Sequence, residues 1–355
     1  MGVDARDRFY EKDYANISRQ IIAVVSIIFT SIKMVCSILK KHELRAVIDQ
    51  VNSDYEKYNR MPGDYQKIID ESIALTRKVD KVWHGVLYAT AVSYPSLAVV
   101  STIYSQLFSD SPERFMFHEV RYWFVDMETQ YSTPFFEYFN IYELYIIFIV
   151  TFGFLVYHNH NSKQLAGYDS SFIIFMFHAA LKLKLIYRDL VHLLDDMDVQ
   201  LMRAKVAKFV REHLECRLFV ENIQKSFEVW LAGIFCHGVL QLGMALTQTT
   251  SQESKGGTGS NLTYYFYVMA TVLHIFLPCF LASELRKLEE NLAKNAYDCS
   301  WEDVPDRGVR RAIMMIIHRT QKPDEFTAIG MITFNMELFV SVLQTSYSMY
   351  TLLRN

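Results

Sequence analysis

Six stretches of this 355-residue chain are apolar over the thickness of a lipid bilayer, and that pattern leaves few folds open to it. The runs are Gln20 to Leu39, Trp83 to Phe108, Tyr138 to Tyr157, Phe227 to Leu246, Tyr264 to Leu285 and Thr327 to Leu353. Each is close to the ~20 residues an α-helix needs to cross hydrocarbon. Lipid offers backbone amides no partner, so such segments satisfy their own hydrogen bonds as helices. The expected fold is all-α: a polytopic membrane helical bundle with six visible spans.

A further apolar stretch, Ser171 to Leu185, could be counted as a seventh, and charge decides how to read it. Residues 41 to 82 hold eight Lys and Arg, residues 286 to 322 hold eight, and 182 to 217 are also basic. Residues 109 to 137 hold only Arg114 and Arg121, and residues 249 to 262 only Lys255. Six spans put all three basic segments on the cytoplasmic side, as the positive-inside bias requires. A span at Ser171 to Leu185 would push residues 41 to 82 outside. That stretch is therefore expected to continue the third helix into the cytoplasm, and both ends of this chain are expected outside. The sequon Asn261-Leu262-Thr263 then lies where a glycan could be added at Asn261, and Asn16-Ile17-Ser18 lies outside as well.

The membrane reading agrees with composition: 51% of residues are apolar, Phe and Tyr are abundant, and Gly and Pro are few. The chemistry of an enzyme finds no foothold. There is no phosphate-binding Gly loop, nucleophile elbow, paired catalytic carboxylates or internal repeat. Cys36, Cys216, Cys236, Cys279 and Cys299 fall in spans or on the cytoplasmic side, so a structural disulfide is not expected. They lack zinc-site spacing, and the pair His158 and His160 reads as a solvated turn rather than a metal site. Neither a cofactor, a metal nor a nucleic-acid partner is expected. The charged start leads directly into an apolar span, so no cleavable signal peptide is evident.

The last thirty residues, Phe326 to Asn355, read as one apolar helix carrying a polar row. Glu337, Ser341, Gln344, Ser348, Thr351 and Asn355 recur every three or four residues and share one face. Such a row must face protein or water. Spacing leaves two roles open, interhelical contact and pore lining. Upstream, Val309, Ile313, Ile316 and Ile317 against Arg310, Arg311 and Arg319 mark an amphipathic intracellular helix. Pro95 and Pro278 lie inside spans, where they would kink them.

Three stretches at the carboxyl end resemble the insect odorant receptor family. They are CFLASELRKLEENLAKNAYDCSW, with Cys279, Glu284, Ala296, Tyr297 and Trp301; RRAIMMIIHRTQKP, from Arg310 to Pro323; and FNMELFVSVLQTSYSMYTLLRN, from Phe334 to Asn355. They look like the family's penultimate span, intracellular helix and terminal span in unbroken order. Weaker similarity reaches upstream: Asp169 to Leu185 looks like the long fourth helix, Val210 to His213 precedes the fifth, and Lys33 sits near the inner end of the second. The family has seven spans and an internal amino terminus. The helix at Gln20 to Leu39 looks like its second, so the first appears to be missing. The stretch from Tyr157 to Gly167 looks like an insertion within the fourth.

The resemblance implies a subunit of a ligand-gated, non-selective cation channel that responds to volatile molecules. It implies a heterotetramer with a shared co-receptor in the plasma membrane of a sensory neuron dendrite, in contact with membrane lipid. Residues 1–285 would form the ligand-binding bundle, 286–325 the intracellular anchor and 326–355 the pore-lining span. Leu352 would stand at the constriction, Asn355 near the outer mouth, and Gln344 and Ser348 further along the lumen. A ring of apolar side chains closes a pore by dewetting it. The ligand pocket would lie in the outer halves of four spans, which here offer Val25 and Phe29, Ser101 and Tyr104, Tyr142 and Tyr145, and Tyr267 with Thr271.

Other multispanning classes fit less well. No Asp-Arg-Tyr follows a span and no Asn-Pro-x-x-Tyr ends one, against a G-protein-coupled receptor. No inverted repeat or paired broken helices favour a transporter. A gustatory-type chemoreceptor channel is closer, but its terminal Thr-Tyr…Gln-Phe signature is absent and TSYSMYTLLRN favours the odorant branch.

Overall fold

The computed structural model describes residues 6, 10, 14–118, 120–155, 167–194, 198–250 and 257–354. Helices α1 (Tyr14–Leu39), α2 (Lys41–Tyr58), α3 (Gly63–Phe108), α4 (Met127–Gln130), α5 (Phe135–Leu155) and α6 (Tyr168–Val191) come first. Then follow α7 (Val199–Thr250), α8 (Gly257–Tyr297), a 3-10 turn (Trp301–Asp303), α9 (Arg307–Thr320), a hairpin of β1 (Thr327–Ala328) and β2 (Ile332–Thr333), and α10 (Met336–Arg354). Of the sequence readings, His158 and His160, the insertion from Tyr157 and the pore residue Asn355 lie outside the described residues.

Several helices are far longer than their apolar runs. With 46 residues, α3 reaches ~69 Å at 1.5 Å per residue, and α7, with 52, ~78 Å, against ~30 Å of hydrocarbon. The excess is the basic sequence, which continues as helix beyond the bilayer. Pro95 and Pro278 both sit within unbroken helices.

Five described helices are long and apolar enough to cross a membrane: those containing 16–39, 63–108, 168–191, 199–250 and 263–303. One of them, α6, is unlike the rest, with 72% of its most apolar window buried in the protein. Its start meets the middle of α3, where Ser170 Oγ lies 3.4 Å from His84 Nε2, and its end meets the beginning of α3, where Arg188 pairs with Asp64 at 2.9 Å. Between these points Asp54 of α2 accepts hydrogen bonds from His178 Nε2 at 2.9 Å and Lys182 Nζ at 2.6 Å. The apolar character of α6 thus serves a protein core among the basic segments.

That core is aromatic. Phe172, Phe227 and Trp230 are all at most 1% exposed, with ring centroids 5.0–5.5 Å apart in each pairing. In α2, Leu44, Val47, Val51 and Tyr58 recur at helical spacing and bury one face. In α9, Asp306 caps the first turn by accepting from Gly308 N and Val309 N, and Val309, Ile313 and Ile316 are buried. Large exposed apolar groups instead crowd the outer half of α3 and α5, among them Val100, Ile103, Leu107, Ile141 and Phe148. A surface this apolar is a lipid-facing one.

The carboxyl segment departs from the sequence reading. Residues 326–335 do not extend the terminal helix: Thr327 and Ala328 pair antiparallel with Thr333 and Ile332. Ile329 and Gly330 turn through positive φ, 52° and 68°, which no helix continues through. Gln224 of α7 fixes the hairpin, accepting from Thr327 N at 3.0 Å and donating to its carbonyl at 2.7 Å. Asn335 then starts α10 by accepting from Leu338 N at 2.7 Å. The remaining 19 residues still measure ~29 Å, enough to cross the bilayer.

Candidate functional site

Where the outer halves of the helices diverge above α6, they enclose a cavity of about 420 Å³, within the range of small-molecule sites. Ile22, Ser26 and Ile27 of α1 face it, with Trp83, Leu87 and Thr90 of α3. The opposite walls are Tyr142, Glu143 and Ile146 of α5 with Tyr267, Ala270 and Thr271 of α8, and His237 and His274 lie at the inner end. His118, Val120 and Tyr122 from the segment between α3 and α4 complete the outer side.

Hydrogen bonds from α5 shape that outer segment. Asn140 Oδ1 accepts from Phe117 N at 3.1 Å, and Glu143 Oε2 from His118 N at 2.8 Å. Tyr122 O–H reaches Glu143 Oε1 at 3.5 Å while its ring stacks on Phe139, 4.1 Å between centroids. Two polar side chains inside an apolar run therefore hold a connecting segment over the cavity.

Beneath the cavity lies a buried polar layer. Lys33 Nζ donates to Asp169 Oδ2 at 2.7 Å, with side chains 1% and 3% exposed. Trp230 Nε1 donates to Asp169 Oδ1 at 3.0 Å, and His274 Nε2 stands 3.6 Å from the same oxygen. Trp83 stacks on His274 at 5.1 Å and Phe29 on His237 at 4.5 Å, so the layer also supports the cavity's inner wall. A second link crosses α1, α7 and α8: Tyr267 Oη lies 3.0 Å from Ser26 Oγ, which accepts from Gln241 Nε2 at 3.2 Å.

Of the eight residues the sequence offered for ligand contact, Tyr142, Tyr267 and Thr271 line this cavity. Phe29 is buried against His237 and Lys33 beside it. Val25 packs against the cluster of Ile22, Met244, Ala245 and Tyr264. Ser101 is half-buried on α3. Tyr104 and Tyr145 turn outward, 65% and 60% exposed. Sequence reading passed over Trp83, Glu143, His237 and His274. Three of them carried a signal, since a carboxylate or imidazole inside an apolar span marks a protein-facing position. The part played by His118 and Tyr122 had none, because a connecting segment's path is not encoded in periodicity.

At the other end of the chain, α10 packs on α7 through Val342 and Ser346, whose hydroxyl donates to Val239 O at 3.4 Å. The approach is close: a Cβ on Gly243 would stand 2.8 Å from Met349 Sδ. The opposite face carries Glu337, Ser341, Gln344 and Ser348, all exposed, and Leu352 at 79% exposure. Thr351 is half-buried. Ser348 Oγ donates to Gln344 O at 3.0 Å, within the helix itself, so its hydroxyl is not spent on another helix of this chain. Asn261 occupies the first turns of α8.

Among the basic segments, buried ionisable groups join α7, α8 and the stretch before the hairpin. Glu289 Oε2 accepts from Asp324 N at 2.5 Å, and Arg217 pairs with the Asp324 carboxylate. Burial, with the negative charge of Asp324 beside it, raises the Glu289 carboxyl to about 7. Burial, helped by Arg217 and Arg319, lowers His213 to about 4.

The whole arrangement has a counterpart among solved structures. The insect olfactory receptor OR5 from Machilis hrabei, in complex with eugenol, superposes with a TM-score of 0.72 at 18% identity, covering 96% of this chain and 81% of that one. Odorant receptor 43b of Drosophila melanogaster is 23% identical over 308 residues, 84% of this chain and 68% of the relative. Odorant receptor 2a of the same species is 28% identical over 135 residues, 38% of this chain and only 33% of the relative's length. The family model described as 7tm Odorant receptor matches residues 13–347, which include every helix around the cavity and most of α10. With fold and sequence agreeing over that length, this chain is a multi-pass membrane protein that belongs to the 7tm odorant receptor family.

Proposed function

We propose that this chain is the odorant-recognising subunit of a ligand-gated, non-selective cation channel. Residues 1–285 hold the ligand, 286–325 join subunits on the cytoplasmic side, and 326–355 contribute the pore. It assembles with a co-receptor in a heterotetramer in the plasma membrane, on the sensory dendrite. The ligand is a small volatile molecule held in the 420 Å³ cavity, in keeping with the structure of the related Machilis hrabei receptor in complex with eugenol.

The observation that carries this reading is the two-faced terminal helix. Its small and apolar side is taken up by α7, while Glu337, Ser341, Gln344 and Ser348 point away from the protomer. Hydrocarbon would leave an amide and a carboxylate without partners, so that face meets water or another subunit. Helices from several subunits around one axis supply both. Leu352 then forms the apolar ring that closes the pore by dewetting, with Gln344 and Ser348 deeper along the wall and Asn355 toward the mouth.

The test is current recording in cells that express this chain, an insect odorant co-receptor, or both, against a panel of volatiles. Both chains together should respond where neither does alone. Leu352→Ala should raise the resting leak and Gln344→Ala should alter relative cation permeability. Unchanged leak and permeability in complexes that still respond would remove α10 from the ion path.

A further inference from the structure

Glu143 is a buried carboxyl group, 7% exposed, in the wall of the cavity. Its described partners are the backbone N–H of His118 and the hydroxyl of Tyr122, neither of them a cation. No Lys, Arg or His is paired with it among the described residues, in contrast to the buried Asp169, which holds Lys33, and the half-buried Asp54, which holds Lys182. An ionised carboxylate accepts at about four lone-pair positions, and here two donors are supplied. A buried carboxylate without a counter-charge is disfavoured, so the ionised form calls for a cation from elsewhere.

The cavity is suited to supply one. Tyr122, Tyr142 and Tyr267 line the same cavity as Glu143, and aromatic rings attract a cationic nitrogen. Ile22, Ile27, Leu87 and Ile146 give the wall aliphatic faces that fit an apolar body behind a polar head, beside the hydroxyls of Ser26, Thr90 and Thr271 and the imidazoles of His118, His237 and His274. No other carboxylate is among the lining residues.

We infer that the cavity selects small volatile amines, with Glu143 as the anionic partner of the ligand's nitrogen. This rests on the reading of the cavity as the ligand site. The bound state is one ammonium–carboxylate pair whichever way it forms. A neutral amine arriving through lipid takes the proton of the Glu143 carboxyl group, or an ammonium ion arriving from water meets the carboxylate and leaves its counter-ion behind. Two existing acceptor contacts to the outer segment remain in place, so the same side chain holds that segment and the ligand.

Glutamine at position 143 separates these two roles, because its carbonyl oxygen still accepts from His118 N, its amide NH2 faces the Tyr122 hydroxyl oxygen, which can accept in turn, and the charge is removed. Purified full chain in lipid nanodiscs is titrated with 2-phenylethylamine and with 2-phenylethanol, its neutral analogue, and read by the fluorescence of Trp83 in the cavity wall. The wild type should bind the amine at least about tenfold more tightly than the alcohol, the ratio expected of one charge-assisted hydrogen bond. Glu143→Gln should erase that difference and leave the alcohol within about twofold.

Equal wild-type affinities for amine and alcohol, or a loss of both probes together in Glu143→Gln, would overturn the assignment, the second outcome making Glu143 a support for the outer segment. The wild-type comparison needs no substitution, so a variant that fails to fold does not shield the proposal. Ala270→Phe fills the cavity and should abolish binding of both probes. If both still bind that folded variant as they bind the wild type, the cavity itself is not the ligand site; if both are lost there yet were equal in the wild type, the cavity stands and the amine selection falls.

Discussion

Breaking the ion pair beneath the cavity tests whether α1 and the buried helix α6 are held together as one structure. Lys33 and Asp169 are 2.7 Å apart and almost wholly buried, which at an effective dielectric constant of ~20 corresponds to a gross attraction of about 6 kcal/mol. Desolvation offsets most of it, so the informative quantity is what remains when one partner is left alone: ~3–5 kcal/mol lost. Lys33→Met should fall at the low end, because Asp169 keeps the Trp230 N–H and has His274 3.6 Å away. Asp169→Leu should fall at the high end, since it strands the Lys33 ammonium and the Trp230 donor together. Lys33→Met with Asp169→Leu removes both charges and leaves only the unpaired indole N–H, a loss of ~1–3 kcal/mol. Thermal unfolding of the purified chain in lipid nanodiscs reads these as shifts of roughly 4–7 °C for the single variants and less for the double one. A double variant as unstable as the two single losses added would mean the pair is not formed, and the assignment of Lys33 to Asp169 would fail.

Two further outcomes are expected. Burial and Asp324 hold the Glu289 carboxyl at about 7, above its ordinary value, so the folded state binds the proton more tightly and its contribution is complete below the unfolded value and lost as pH rises through 7. Wild-type melting temperature should therefore fall relative to Glu289→Gln between about pH 4.5 and 7 and run parallel to it above; curves parallel throughout would show that Glu289 is not buried as described. If the amino-terminal end of α8 is extracellular, Asn261→Gln should remove an endoglycosidase-sensitive mobility shift, and a shift that survives would assign the glycan to another residue.

How much of this was legible depended on how local the cause was. The apolar runs of α1, α3, α7 and α8 could be read because hydrocarbon imposes a length on each span by itself. The amphipathic helix α9 could be read from its own spacing, and the outward polar row of α10 from the recurrence of Glu337, Ser341, Gln344 and Ser348. Residues 326–335 could not, because their apolar composition suits a span as well as a hairpin. Their turn at Ile329 and Gly330 is set by Gln224, about a hundred residues away. The ligand wall was harder still. The resemblance put Tyr142 and Tyr145 on equal terms, yet only Tyr142 lines the cavity, a difference for which Asn140 and Glu143 were the polar guides in an otherwise apolar run.

By itself the sequence determined that this chain is a bundle of membrane helices and which of its segments are the basic ones kept out of hydrocarbon. Both follow from single-segment energetics: the backbone must be satisfied inside lipid, and charge is excluded from it. Tertiary structure alone decided that Asp169 meets Lys33 across 136 residues, that His118 and Tyr122 bond to Glu143, and that α10 seats Val342 and Ser346 on α7. In lipid, apolar contact with a neighbouring helix differs little from contact with acyl chains, so helix orientation is settled by close packing at residues such as Gly243 and by a few buried polar partners, and both exist only once the helices are assembled.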